Sequence, residues 1–240
     1  MMTLDPVIYP LGEDGLLVEF APKLSMQANA AAIACRDDLA ALGLEGVVEV
    51  GSTLKSAFVR FDPFVLSHDV VEGALRDVLA ARDWGAVEAP VARRWRLPSC
   101  FEGGFAPQLA EFAGLAGRSP ADLVAELAET PLRVLALGFA PGMPYLGELP
   151  AHWDVPRQTA LTPRVPAGAI TAAIRQIVLF AVPSGTGWRQ IGQAAWRGFD
   201  PDGSGPHLTA GDVLRFDPVG ADAFAAHMAA GGGLIPEGAL

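Results

Sequence analysis

Three stretches of this 240-residue chain combine side chains that do chemistry with backbone that can come close to a ligand. They are GFAPGMPYLGELP (138–150), PRVPAGAITAA (163–173) and PSGTGWRQIGQ (183–193). Each couples Gly or Pro to an aromatic or an Arg. Glycine lets successive backbone N–H groups approach an anion. Phe139, Tyr145 and Trp188 can supply stacking or apolar walls, and Arg164 and Arg189 can supply charge. Pro141 and Gly142 would shape the first loop, and Gly168 would permit close approach. The same composition also suits tight connections of a barrel whose aromatics fill the core.

Charge bears on both readings. The chain is acidic, with 17 Lys plus Arg against 27 Asp plus Glu and a net charge of −10, which argues against nonspecific nucleic-acid binding. Residues 1–90 hold 6 basic and 14 acidic side chains. Within 131–200 the sign reverses, with Arg133, Arg157, Arg164, Arg175, Arg189 and Arg197 set against Glu148, Asp154 and Asp200. Arg stays charged when buried and grips carboxylate or phosphate through two parallel bonds. An anion-binding surface is one reading, and Arg scattered over strands with local partners is the other. The only lysines are Lys23 and Lys55, so no later Lys serves a P-loop or a Schiff base.

The common catalytic signatures are absent: no GxxxxGK[ST], GxSxG, HExxH, paired CxxC or Rossmann GxGxxG. His68, His152, His207 and His227 lie far apart in sequence, and no spacing among them implies a metal. Cys35 and Cys100 form neither a disulfide framework nor a zinc pattern and read as reduced thiols. No apolar run approaches the roughly 20 residues that span a bilayer. The N-terminus has no basic start followed by an apolar stretch, so a cytoplasmic location is expected.

The elements that must position these residues follow from periodicity. Val7–Tyr9 and Leu16–Phe20 read as strands around a Gly turn. Ser25 caps a helix ending at Gly43, Val47–Val50 and Ala57–Phe61 read as strands, and Ser67 caps a helix over 67–82. Val70, Val71, Leu75, Val78 and Leu79 mark one face of that helix. This ββαββα order predicts a small antiparallel sheet under two helices.

A boundary is expected in 85–91, near Pro90. Beyond it come a strand at 93–97, helices at 108–116 and 119–129, and a strand at 132–137. Residues 138–147, with three Gly and two Pro, read as a shaped loop. Short strands at 169–172, 177–181, 188–191 and 213–216 are spaced like those of a barrel, and a helix covers 222–230. The expected organisation is α+β: a small α/β sandwich over 1–88, a β-barrel domain over 89–232 and a flexible tail over 233–240.

Several motifs then occur in a recognisable order. Pro141-Gly142-Met143-Pro144-Tyr145-Leu146-Gly147 is followed by Pro156-Arg157 and by Thr162-Pro163-Arg164-Val165-Pro166-Ala167-Gly168. Gly187-Trp188-Arg189-Gln190-Ile191-Gly192, Phe199-Asp200-Pro201 and Ala210-Gly211-Asp212-Val213-Leu214-Arg215-Phe216 complete the series. Together they resemble the family of the B subunit of 5-oxoprolinase, also called allophanate hydrolase subunit 1 or the Kip sensor-kinase inhibitor family. The resemblance covers 99–217; the N-terminal ninety residues match it mainly in layout. Residues 172–180 depart from the family's Gly-rich turn and carry larger, partly β-branched side chains.

The resemblance implies a cyclophilin-like barrel. It also implies two partner chains: a carboxyltransferase-like one, homologous to the C component of that enzyme, and an amidohydrolase-like one, homologous to its A component. It implies ATP with Mg2+, on this chain or on a partner, and ring opening of 5-oxoproline to glutamate. Two other activities go with it: a diverged amidohydrolase component that acts on another amide or urea derivative, and inhibition of a sensor histidine kinase. The site residues expected are Phe139, Pro141, Gly142, Tyr145, Arg157, Arg164, Gly168, Trp188 and Arg189, with no metal held by side chains. Residues 1–84 are a candidate homodimer contact.

Overall fold

The computed structural model describes residues 4–88, 93–200, 202 and 205–237, and divides into two units, Met1–Pro90 and Val91–Leu240. Residues 89–91 of the expected boundary stretch lie outside the described residues. In the first unit β1 (Val7–Pro10) and β2 (Gly15–Glu19) form a hairpin, followed by α1 (Met26–Ala41), β3 (Val47–Ser52), β4 (Ser56–Phe61) and α2 (His68–Ala80). The sheet runs β1-β2-β4-β3 and every pairing is antiparallel.

Both helices start where a serine hydroxyl can take up a free N–H. Ser25 Oγ accepts from Ala28 N–H and Ser67 Oγ from Val70 N–H. Alanines 28, 31 and 32 of α1 are fully buried, so this helix packs closely through small side chains against Val18, Phe20 and Phe61 of one core. Val71, Leu75 and Val78 of α2 join that core. Val70, expected on the same face, is exposed, because as the third residue of the helix it precedes the first buried position.

The second unit holds β5 (Arg94–Cys100), α3 (Leu109–Leu115), α4 (Pro120–Glu129), β6 (Leu132–Leu137), β7 (Pro144–Gly147) and β8 (Thr162–Val165). These are followed by β9 (Ala169–Ala173), β10 (Gln176–Leu179), β11 (Ser184–Thr186), β12 (Arg189–Ala194), β13 (Phe199–Asp200) and β14 (Gly205–Pro206). The unit ends with β15 (Val213–Pro218), α5 (Ala221–Ala229) and β16 (Ile235–Pro236).

Strands β12-β9-β10-β7-β6-β15-β5 form one sheet that closes on itself, since Gln193 and Ala194 of β12 also pair with Cys100 and Ser99 of β5. The result is a seven-stranded barrel, with β8–β11 and β13–β14 as separate two-stranded ribbons. Closure leaves few free edges, and inward-facing side chains of so small a barrel fill it. Leu97, Val134, Leu146, Ile170, Ile177, Ile191 and Leu214 meet in that packed core.

One pairing is parallel, β15 beside β5 from Val213↔Arg94 to Pro218↔Ser99. A buried carboxylate pins its start. The Asp212 side chain is fully buried and accepts from Arg93 Nε at 3.0 Å, Arg93 Nη2 at 2.6 Å, Trp95 Nε1 at 3.4 Å and its neighbour Thr209 N–H at 2.9 Å.

Three sequence expectations change. Residues 144–147, read as loop, are strand β7 between β6 and β10. Pro144 stands first in the strand, where its missing N–H costs least. The ribbon β8–β11 has no counterpart among the expected strands, because Pro163 and short strand lengths conceal it. Finally, residues 233–237 are held rather than free: Gly233 N–H donates to Ala195 O at 2.7 Å, β16 pairs with β5, and Glu237 N–H donates to Arg94 O at 3.0 Å. β16 takes the part of the β5 edge that β12 leaves uncovered. Residues 238–240 of the expected tail lie outside the described residues.

Candidate functional site

A cavity of about 320 Å³ opens beside the barrel. Its floor is apolar: Met143 at the end of the β6–β7 loop, Val178 of β10 and Phe180 just beyond it, all buried. Tyr145 of β7 and Trp188, between β11 and β12, form a wall with ring centroids 6.3 Å apart and planes at 78°. Arg157 lays its guanidinium over the Trp188 ring, 5.1 Å from the centroid. Arg157 is the single charged residue of the lining. Trp188 thus offers one face to a cation whose outward edge stays open to an anion.

The Arg157 segment is fixed by a chain of amides. Gln158 N–H donates to Gly187 O at 2.7 Å, and the Gln158 side chain donates to Trp188 O at 3.3 Å and to Thr162 Oγ1 at 3.2 Å. Gln108 Nε2 donates to Gln158 Oε1 at 2.8 Å, while Gln108 Oε1 accepts from Gln190 N–H at 2.9 Å. Arg189 contributes from below. Its Nε donates to Glu111 Oε1 at 2.8 Å and its Nη1 to Pro156 O at 2.8 Å. Arg189 therefore positions the residue before Arg157 and does not itself line the cavity.

Of the expected site residues, Phe139, Tyr145, Arg157 and Trp188 are brought together. Pro141, Gly142, Arg164, Gly168 and Arg189 are not in the lining. Pro141 and Gly142 build the turn of the β6–β7 loop, where Met143 N–H donates to Ala140 O at 3.1 Å and Gly142 has φ +71°. Proline followed by a left-handed glycine is the type II pattern. A Cβ on Gly142 would lie 2.0 Å from Gly198 O, and one on Gly168 (φ +80°) 2.6 Å from Ala194 O. Both glycines admit another backbone segment, not a ligand. Arg164 is exposed on β8, with its neighbour Val165 buried, so it faces outward.

Met143, Gln158, Leu161, Val178, Phe180, Gly185, Thr186 and Gly187 complete the lining and are not among the residues the sequence singles out. For Gly185–Gly187 the signal is present, since they sit inside the third Gly-rich stretch. For Gln158 and Leu161 it is not, because both lie in a segment without periodicity. Phe139 departs from ordinary backbone: φ is +69°, and its side chain is 75% exposed at the cavity mouth. A bulky residue in that region is strained and persists only where its surroundings impose it.

Among the described residues no group of three or more His, Cys, Asp or Glu could hold a metal. The cavity contains no carboxylate for Mg2+, no Lys and one guanidinium, so the residues here do not fit a magnesium triphosphate. His152 is engaged elsewhere, 2.7 Å from Glu126 of α4. Cys35 is inert: burial, helped by Asp38, pushes its thiol up to about 12.

The chain thus combines a closed seven-stranded barrel with an aromatic cavity at its side that holds one guanidinium, the fold of a carboxyltransferase-type barrel. Residues 6–209 match the family described as carboxyltransferase domain, subdomain C and D, and the chain belongs to that family. It is 28% identical over 224 residues to the B subunit of 5-oxoprolinase from Bacillus subtilis (strain 168), covering 90% of this chain and 93% of that protein. Against the 5-oxoprolinase B subunit of Escherichia coli O157:H7 the identity is 29% over 214 residues, covering 88% and 94%. The crystal structure of TTHA0988 superposes with a TM-score of 0.73 at 28% identity, over 85% of this chain and 40% of that longer one. No helix among the described residues is long and apolar enough to cross a membrane.

Proposed function

We propose that this chain is the B-type component of an ATP-dependent 5-oxoprolinase, working with carboxyltransferase-like and amidohydrolase-like partner chains. The observation that carries the reading is the Arg157–Trp188 stack at the edge of a cavity that has no acidic side chain. A small cyclic amide acid needs a cation for its carboxylate and flat apolar walls for its ring. Arg157 offers the first, and Trp188, Tyr145 and Met143 offer the second. The 5-oxoprolinase relatives support the same assignment.

In this reading the chain binds and orients. Arg157 fixes the carboxylate, the aromatic pair excludes water from one side of the ring, and Gln158, Gln108 and Arg189 hold Arg157 in register. Orientation alone lowers barriers when the reacting groups are presented in line. The nucleotide step lies outside this cavity, and no group here carries it.

The test is glutamate release from 5-oxoproline by the assembled three-chain enzyme with ATP. Arg157→Gln is expected to lower kcat/KM at least tenfold, the size of one lost charge-assisted contact at about 1.4 kcal/mol. Full activity in Arg157→Gln would sink the assignment of the cavity. Ammonia release from a urea derivative, with none from 5-oxoproline, would replace the substrate.

A further inference from the structure

The cavity has more room than a five-membered ring acid fills. Pockets of roughly 300–1,000 Å³ take drug-sized ligands, and this one measures about 320 Å³. Its inner part is the buried floor of Met143, Val178 and Phe180 beside the Arg157–Trp188 stack. Its outer part is apolar too, but open. Phe139 is 75% exposed and Leu161 69%, and both line this same cavity. Phe139 is held there by a left-handed backbone, φ +69°, which disfavours an aromatic. Strain of this kind gathers at ligand-contacting positions, and a side chain so exposed does not serve the core.

The polar groups of the lining select by charge and by hydrogen-bond sense. Arg157 can only donate. Thr186 is buried, and its Oγ1 already accepts from Trp188 N–H at 3.0 Å, which leaves its own hydroxyl hydrogen for a further acceptor. The Gln158 amide is engaged: its nitrogen donates to Trp188 O and Thr162 Oγ1, and its oxygen accepts from Gln108. Among the described residues the lining has no carboxylate to receive an ammonium. A ligand therefore brings acceptors and negative charge, and an amino group on it would lose its water beside Arg157 without gaining a counter-ion.

We infer that the cavity takes a monocarboxylate with an extended, ring-bearing apolar body and no amino group. The carboxylate meets Arg157, and the body reaches Phe139 and Leu161 at the mouth. The inference rests on the reading above only in giving Arg157 a carboxylate. It adds a longer class of ligand, which competes with 5-oxoproline for the same guanidinium.

The experiment is calorimetric titration of the purified full chain, without partner chains or nucleotide. The probes are 4-phenylbutyrate, the short acid cyclopentanecarboxylate, the cation 4-phenylbutylamine, and 5-oxoproline. 4-Phenylbutyrate should bind at least tenfold more tightly than cyclopentanecarboxylate. That factor is about 1.4 kcal/mol, which burial of roughly 55 Å² of apolar surface supplies. The amine should not bind at the same concentrations. Arg157→Gln should weaken both probe acids at least tenfold. Phe139→Asn and Leu161→Ser should each weaken 4-phenylbutyrate at least fivefold and cyclopentanecarboxylate less than twofold. Asparagine tolerates the left-handed backbone, so Phe139→Asn should melt no lower than wild type. A merely structural role for Phe139 would lower the melting temperature and leave the length preference untouched.

Equal affinity for the two probe acids overturns the inference. So does binding of the amine as tight as that of 4-phenylbutyrate, or an unchanged length preference in Phe139→Asn and Leu161→Ser. The oxoprolinase reading fails separately. If 4-phenylbutyrate binds through Arg157 and Phe139 while 5-oxoproline does not bind, the longer ligand class stands and the oxoprolinase assignment of the cavity falls. If 5-oxoproline binds through Arg157 and 4-phenylbutyrate does not, that assignment stands and this inference falls.

Discussion

Gly142→Ala tests how the loop under Phe139 and Met143 is held. At φ +71° an alanine costs about 1–2 kcal/mol relative to glycine. Its Cβ would also stand 2.0 Å from Gly198 O, a backbone atom with no rotamer to change. Relieving such an overlap costs about 1–3 kcal/mol more, so the total is near 3 kcal/mol. The second unit has about 150 residues, giving an unfolding entropy near 0.3 kcal/mol per kelvin and a fall of roughly 10 °C in its transition. Scanning calorimetry of the full chain reads this directly. Gly138→Ala, in the same loop, is the control: nothing lies within 4 Å of its Cβ and its φ is not left-handed, so its transition should stay within about 2 °C of wild type. If Gly142→Ala melts with wild type, or if both variants fall equally, the account of the loop is wrong.

Other outcomes follow from the same geometry. Asp212→Ala removes the acceptor shared by Arg93, Trp95 and Thr209 and should cost about 3 kcal/mol in urea unfolding, at the low end for a broken buried pair because Arg93 can rehydrate. Gln158→Ala leaves Gln108 Nε2 and Trp188 O without partners and should cost about 1–3 kcal/mol, with Trp188 fluorescence altered in the folded protein. Ile174→Asn should stabilise by about 1 kcal/mol, since Ile174 (φ +44°) and Arg175 (φ +64°) form a two-residue hairpin turn that favours Asn at its first position. Cys35, its thiol pushed up to about 12, gains thiolate only as pH approaches that value. At pH 8 it should react with iodoacetamide at least about a thousandfold more slowly than a free thiol near 8.5, and recover on unfolding.

Local chemistry was readable and long-range pairing was not. Ser25 and Ser67 announce helices because capping is decided within three residues, and each accepts the N–H three residues on. The strand β7 is hidden because Pro144 and Gly147 look like turn residues until β6 and β10 flank them. The same limit governs the site. Aromatics beside Gly-rich turns point to Phe139, Tyr145 and Trp188, and the family resemblance adds Arg157; these four line one cavity, yet a motif cannot say which arginine is already paired. Arg189 finds Glu111, 78 positions away, so its role is to brace Pro156. Gly168 reads as room for a ligand and Gly142 as a loop-shaping residue, but what comes close to both is this chain's own backbone.

The pairing of Ile235–Pro236 with Trp95–Arg96 makes the last described residues a stave of the barrel. Proline has no N–H to give, so this stave is held largely by its flanking residues, with Glu237 N–H reaching Arg94 O. A chain cut after Gly231 would keep every helix and all seven closing strands. It would also expose a row of β5 backbone donors and acceptors at the seam, the kind of open edge that recruits strands from other molecules. The short terminal segment therefore acts as a plug against self-assembly, and its loss should show first as aggregation and only later as a lower melting temperature.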